Sequence, residues 1–160
     1  MRWQLGVLVT GLLGSAALAE PCPAEMALTA GYWGLRANEP HEVAVQLELR
    51  PGVRWWWVRP TAGLLLSSEG TQLLFAGVLI EVPLWGGVTV SPGFAPAIRY
   101  ANGQRDLGST LLFKSSVELG VPLTPGLRAL VSFAHTSNGK LAAPNPGVET
   151  LVFGLSAALE

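Results

Sequence analysis

The chain has 160 residues, of which 49% are hydrophobic and only 13% are charged. Soluble domains usually carry about 25% charged residues, so this composition argues against an ordinary water-exposed surface. The formal net charge of −1 excludes a strongly basic nucleic-acid-binding protein. A single cysteine excludes a disulfide framework and a cysteine-rich zinc site. The length fits one domain.

The N-terminus has the three parts of a secretory signal peptide. Arg2 supplies a positive charge, residues 5–13 form a short apolar run, and Ala17-Leu18-Ala19 matches a small-residue cleavage site. The run is too short for a transmembrane helix, which needs about 20 apolar residues. We therefore predict a signal peptide at 1–19 and a single β-barrel domain at 20–160.

The rest of the chain is a series of β-rich runs separated by Gly, Pro, Asn and Ser. Apolar and polar residues alternate within several of them: in 41–50 Val and Leu occupy one parity, while Glu, Gln and Arg dominate the other. A period of two indicates a strand with one apolar and one polar face. The predicted strands cover residues 24–36, 41–50, 53–67, 71–82, 86–98, 108–121, 127–138 and 148–159.

The direction of the apolar face decides the class of barrel. A soluble lipid-carrying barrel turns that face inward and needs many charges outside, which this chain lacks. A transmembrane barrel turns it toward lipid and encloses its polar residues. Because lipid cannot satisfy an open strand edge, the sheet must close, and eight is the smallest even strand number of bacterial barrels. We predict an all-β fold, an eight-stranded antiparallel transmembrane β-barrel in the bacterial outer membrane.

Charged and aromatic residues are distributed in a way that suits this fold. The aromatic belts at the two membrane interfaces could be formed by Trp55, Trp56, Trp57, Trp85, Phe94 and Tyr100. The Trp55–Trp57 run could also simply pack within a strand. With a periplasmic N-terminus, residues 99–107 and 139–147 become long external loops. The charges predicted to form an ion-pair network inside the barrel are Glu42, Glu48, Glu81, Lys114 and Glu118.

Three polar residues of the final hairpin share the apolar parity. His135 and Ser137 end the seventh predicted strand, and Glu149 begins the eighth. They are therefore expected to meet on the outer wall near the external rim. A serine needs an adjacent imidazole to take its proton, and a carboxylate orients that imidazole, so the group could form a Ser-His-Glu triad. They could equally be ordinary polar residues at a barrel rim.

An esterase also needs donors for the oxyanion of its tetrahedral intermediate. The side-chain amides of Asn138 and Asn145 and the backbone N–H of Gly139 are the candidates, because they flank the predicted triad. The same residues are common in turns, and the two roles are compatible.

These residues carry a resemblance to a known family. The segments Ser116-Val117-Glu118-Leu119-Gly120, His135-x-Ser137-Asn138-Gly139 and Pro144-Asn145-x-Gly147-x-Glu149 resemble the outer-membrane lipid A 3-O-deacylases of the PagL type, also labelled acyloxyacyl hydrolases. The resemblance covers about the last third of the chain.

The resemblance implies a carboxylic ester hydrolase that removes the 3-O-linked acyl chain of lipid A. It makes His135 the general base, Ser137 the nucleophile and Glu149 the orienting acid. It implies no metal or organic cofactor. The expected partners are lipopolysaccharide and the outer-membrane bilayer, with no nucleic acid, and the sequence allows a homodimer. Two alternatives stay open: a non-catalytic small outer-membrane barrel with a structural or adhesion role, and a soluble lipid-binding barrel.

Overall fold

A computed structural model describes residues 19–36, 41–100 and 106–159. The predicted signal peptide therefore lies outside the described residues, apart from Ala19. Among the described residues, no helix is long and apolar enough to cross a membrane. Eight long strands run through the described chain: β1 (Ala24–Trp33), β2 (Glu42–Arg50), β3 (Val58–Ser67), β4 (Gln72–Ile80), β5 (Thr89–Arg99), β6 (Leu111–Thr124), β7 (Leu127–Ser137) and β8 (Val148–Leu159).

Every strand pairs antiparallel with the next strand in the chain, and β8 pairs with β1. The pairing of Trp33 with Thr150 and of Ala24 with Leu159 shows that the closing seam runs nearly the full strand length. The sheet is therefore a closed barrel without free long edges, which is the fold predicted from the sequence.

The predicted start of the third strand is wrong. The third strand was expected to begin at residue 53 but begins at Val58, because the Trp55–Trp57 run forms a turn in which Trp56 has a positive φ of 58°. Val53–Arg54 instead pairs with the two-residue strand Glu20–Pro21 at the same end of the barrel. The tryptophans of this turn are exposed, and Trp56 is 72% accessible.

Burial alternates along the strands, and the apolar face points outward. In β2 the Val and Leu residues are exposed, while Glu42, Gln46, Glu48 and Arg50 are buried inside the barrel. The alternation separates the two walls as a transmembrane barrel requires. The alternative of a soluble lipid-binding barrel is wrong, because such a barrel would bury its apolar wall.

The lumen contains a connected polar network, as predicted. Arg50 lies at its centre and contacts Glu48 at 2.9 Å and Glu118 at 2.7 Å. Lys114 donates to Gln46 at 2.8 Å, and its ammonium lies 4.0 Å from the centre of the Phe75 ring. These groups neutralise one another where no water shell is available, which is why charges can be enclosed.

The network differs from the prediction in its paired cations, because Arg50 and Arg59 were not among the predicted members. Two of the predicted members also lie apart from Arg50. Glu81 pairs with Arg59 at 3.2 Å, in a second cluster joined to the first through Glu25, which lies 3.7 Å from Arg50. Glu42 accepts a hydrogen bond from the Ser67 hydroxyl and joins no ion pair within the part of the chain that the structure describes. The predicted inward parity of Glu42 was correct, but its position nearer the external end separates it from Arg50 and Arg59.

Toward the external end the lumen becomes apolar. Trp33, Leu65, Leu107, Leu112 and Val148 are almost completely buried and belong to one hydrophobic cluster. Val148 is the first residue of β8, so this cluster packs directly beneath the last hairpin. The packing holds the inner side of the wall whose outer side carries His135 and Glu149.

The network predicts unequal effects for two arginines. We expect Arg50→Met to lower the free energy of unfolding by about 3–5 kcal/mol, because the buried Glu48 and Glu118 would lose the guanidinium that pairs directly with both. Arg54→Met is the control: its contact with Glu20 is 3.6 Å long and exposed, so it should cost at most about 1 kcal/mol. Urea unfolding of the barrel in detergent micelles measures both effects. Equal unfolding midpoints of the two variants would contradict the larger contribution that we assign to the ion pairs of Arg50.

Candidate active site

The register of β7 and β8 brings the first two predicted site residues together. His135 and Glu149 are direct cross-strand partners. The His135 Nδ1 lies 3.1 Å from the Glu149 Oε1, and their side chains are 43% and 17% exposed. A carboxylate on Nδ1 favours the tautomer that carries the proton there and leaves Nε2 as an acceptor.

Both side chains lie on the outer wall. In β7, Ala134 and Thr136 are buried toward the lumen, whereas His135 and Ser137 are partly exposed on the opposite face with Phe133. Ser137 is two residues from His135 and pairs across the sheet with Phe113. Within the described residues no hydrogen bond joins the two side chains. Catalytic hydrogen bonds are often long in the absence of substrate. The lack of a hydrogen bond to His135 therefore leaves Ser137 as a candidate nucleophile.

Gly147 forms one side of the imidazole pocket. It has a φ of +65°, and a Cβ at this position would lie 2.5 Å from the Cε1 of His135. Only glycine combines this backbone conformation with so close an approach. The loop between β7 and β8 therefore helps to fix the ring.

Asn138 organises that loop from inside. It is completely buried, and its side-chain Nδ2 donates to the carbonyls of Leu107, Ala142 and Pro144 at 2.8–3.0 Å. Its Oδ1 accepts from the N–H of Lys140. The side-chain amide is thus fully used by backbone carbonyls and faces away from the outer wall, which argues against its predicted use as an oxyanion donor.

The other two donor candidates stay exposed. The Oδ1 of Asn145 accepts the Asn138 N–H at 3.1 Å, which orients the Asn145 amide group on the loop. Gly139 has a φ of +61° and lies against the ring of Phe113. Both residues therefore belong to the exposed part of the loop that Asn138 holds from below.

Two residues beside the site were missed by the sequence analysis. Arg36, just after β1, donates to the Glu149 Oε1 at 2.5 Å and to the Pro146 carbonyl at 2.9 Å. Ser115 is exposed on β6 and is the direct partner of His135. Ser115 shares the parity of Phe113, which indicates that it faces outward. Its position opposite His135 depends on a bulge in the pairing of β6 with β7. No comparable signal marked Arg36: it is the last residue of the first predicted strand, 24–36, and its contact with Glu149 depends on the pairing of β1 with β8.

The charge arrangement suits proton transfer to and from an imidazole. A histidine that donates to a carboxylate can accept a proton at its other nitrogen and hold the resulting charge. Among the described residues, no group of three His, Cys, Asp or Glu side chains is placed to hold a metal ion.

Residues 41–158 match the family model described as lipid A 3-O-deacylase (PagL). The chain belongs to the PagL family of lipid A 3-O-deacylases. It is accordingly a carboxylic ester hydrolase of the bacterial outer membrane, and the alternative of a non-catalytic barrel is wrong. No curated protein sequence matches the chain.

Solved structures support the fold of this PagL-family chain. The crystal structure of the outer membrane enzyme PagL is 19% identical, with a TM-score of 0.68, covering 84% of this chain and 99% of that one. A designed transmembrane β-barrel has a TM-score of 0.59 at 11% identity, covering 88% and 98%. The Yersinia pestis outer membrane protein Ail has a TM-score of 0.54 at 12% identity, covering 85% and 99%. These similarities concern the barrel alone.

The close approach at Gly147 gives a test of the imidazole pocket. We expect Gly147→Ala to lower deacylation about 10- to 100-fold while the barrel still folds, because the new methyl group would displace the ring of His135. Gly86→Ala is a matched control: Gly86 also has a φ of +65°, but no atom lies within 4 Å of the added Cβ. Equal activity of the two variants would show that the contact of residue 147 with the ring does not control the position of His135.

Proposed function

We propose that this chain hydrolyses the 3-O-linked acyl ester of lipid A with a Ser-His-Glu triad formed by Ser137, His135 and Glu149. The observation that supports the proposal best is the contact of 3.1 Å between His135 and Glu149 on the outer wall. Family membership supports the reaction, and the geometry of the last hairpin supports the choice of residues.

The outward direction of these groups matches the position of the substrate. Lipid A forms the outer leaflet of the membrane around the barrel, so its ester bonds approach from the side and not through the lumen. Charged side chains facing lipid cost roughly 2–4 kcal/mol at mid-membrane but only about 0–1 near the interface. Because His135 and Glu149 lie at the external ends of their strands, they can be polar at little cost.

The first half of the reaction forms an acyl-enzyme. The Oγ of Ser137 attacks the ester carbonyl carbon while the Nε2 of His135 takes the hydroxyl proton. The Nδ1–H remains bonded to Glu149, which stabilises the imidazolium charge. The tetrahedral intermediate then breaks the bond to the glucosamine 3-oxygen, and His135 returns the proton to that leaving oxygen. The products of this half are deacylated lipid A and a serine ester.

Water completes the reaction on the same residues. His135 takes a proton from water, and the resulting hydroxide attacks the Ser137 ester. When the tetrahedral intermediate collapses, the 3-hydroxy fatty acid is released and His135 returns the proton to the Oγ of Ser137, which restores the free serine. The side-chain amide of Asn145 and the N–H of Gly139 are the donors that we propose for the oxyanion in both halves.

This mechanism uses one chain and no cofactor. The three proposed triad residues come from one hairpin. The homodimer that the sequence allowed has no support from the family match or from the similar structures, and the chemistry does not need a second copy.

The nucleophile can be tested against the neighbouring serine. We expect Ser137→Ala to abolish the removal of the 3-hydroxyacyl chain, because no oxygen would remain to form the acyl-enzyme. Ser115→Ala is the matched control, since Ser115 is also exposed beside His135, and it should retain activity. Mass spectrometry of lipid A from cells that express each variant gives the acyl count.

Heat-modifiable migration of the same variants in electrophoresis verifies that the barrel has folded. Full deacylation by Ser137→Ala, or its loss only in Ser115→Ala, would refute the proposed nucleophile.

The two asparagines are expected to differ in kinetic effect. Asn145→Ala should lower kcat about 100-fold with little change in KM, because it removes one donor that acts mainly on the oxyanion. Asn138→Ala should instead lower thermal stability, since three carbonyls lose their donor. Steady-state kinetics and thermal unfolding in detergent separate the two effects. A kcat for Asn145→Ala within twofold of the wild-type value would remove Asn145 from the oxyanion site.

A further inference from the structure

Arg36 connects three parts of the external rim. The N–H of Gly34 donates to the Glu149 carbonyl at 2.8 Å, which draws the chain leaving β1 alongside β8. Two residues later, the Arg36 guanidinium reaches the Glu149 carboxylate with one nitrogen and the Pro146 carbonyl with the other. One side chain thus ties the end of β1 to the β7–β8 loop and to the carboxylate.

The contact falls on the oxygen that also faces the imidazole. Arg36 and His135 both approach the Oε1 of Glu149, whereas its Oε2 is buried and has no hydrogen-bond partner among the described residues. A carboxylate on a single flexible side chain can rotate away from a neighbouring strand. A guanidinium whose second nitrogen is anchored to a backbone carbonyl restricts that rotation, because its planar fork has a fixed geometry.

We infer that Arg36 is a positioning residue that holds the Glu149 carboxylate in line with His135 Nδ1. The inference rests on the proposed function, since it assigns Arg36 a role only through that pair. Arg36 acts on the orientation of the carboxylate and touches no reacting atom. Its positive charge by itself would oppose the imidazolium that forms during the reaction, so the benefit must come from geometry.

A competing role for Arg36 has a different signature. The guanidinium is half exposed, at 49%, and a guanidinium also binds the phosphate groups that lipid A carries. A phosphate contact would affect binding of the charged substrate and leave the reactivity of Ser137 unchanged. A positioning role changes that reactivity toward any electrophile, including an uncharged one.

The experiment uses the full-length barrel in detergent and a neutral sulfonyl fluoride, phenylmethylsulfonyl fluoride, which carries no phosphate. In this reaction an oxygen–sulfur bond forms at Ser137, the sulfur–fluorine bond breaks, fluoride leaves, and the serine proton passes to His135. The labelling rate is followed by intact-protein mass spectrometry. The variants are Arg36→Gln, Arg36→Lys and, as a matched loss of charge on the neighbouring loop, Lys140→Gln.

We expect Arg36→Gln to label about 10-fold more slowly and to lose a similar factor in kcat for lipid A, with KM within twofold of the wild-type value. Arg36→Lys should recover part of the rate, because an ammonium can reach the carboxylate but cannot hold the Pro146 carbonyl with a second arm. Lys140→Gln should label at the wild-type rate.

An unchanged or faster labelling rate in Arg36→Gln would overturn the inference, and a raised KM for lipid A in that case would assign Arg36 to substrate binding. Ser137→Ala separates this result from the proposed function. If Ser137→Ala still takes up one sulfonyl group, the proposed nucleophile is wrong. If it takes up none while Arg36→Gln labels normally, only the role of Arg36 fails.

Discussion

The structure depends on one constraint: in lipid, every backbone N–H and C=O of a sheet must find its partner within the protein. Eight antiparallel strands satisfy it by closing through β1 and β8. Once the sheet is closed, the two-residue period of each strand separates the chain into an enclosed wall and a lipid-facing wall. The low content of charged residues follows, because within the membrane only the enclosed wall can hold them and there they must be paired.

The same constraint limits where a hydrolase can place its polar residues. Charges in the lumen are neutralised around Arg50 and never meet lipid. A polar residue on the outer wall has no such partners at mid-membrane, so its free-energy cost is small only near a rim. His135 and Glu149 lie at the external rim, where the imidazole and the carboxylate contact each other. An outward site is thus compatible with the barrel only at the depth where the headgroup of a surrounding lipid lies.

The loop between β7 and β8 connects the two walls. The side chain of Asn138 points inward, as the parity of β7 requires, and its amide donates to carbonyls of the loop. Gly147 brings the returning chain against the ring of His135 on the outer face. Interior packing therefore shapes an exterior pocket. This division explains why Asn138 resembles a site residue in sequence although its contacts are structural, and why Asn145, held by the Asn138 N–H, is the better-placed amide.

Local alternation in the sequence was sufficient to determine the strands, their apolar faces and the shared direction of His135, Ser137 and Glu149, because side-chain direction in a strand follows from parity alone. Only the tertiary structure decided what lies beside them. A bulge between Leu127 and Arg128 shifts the β6–β7 register, so that His135 pairs with Ser115 and not with Ser116. Arg36 reaches Glu149 across 113 residues of chain because closure brings β1 beside β8. Such contacts depend on register and closure, which are properties of several strands at once and have no signature in any single stretch of sequence.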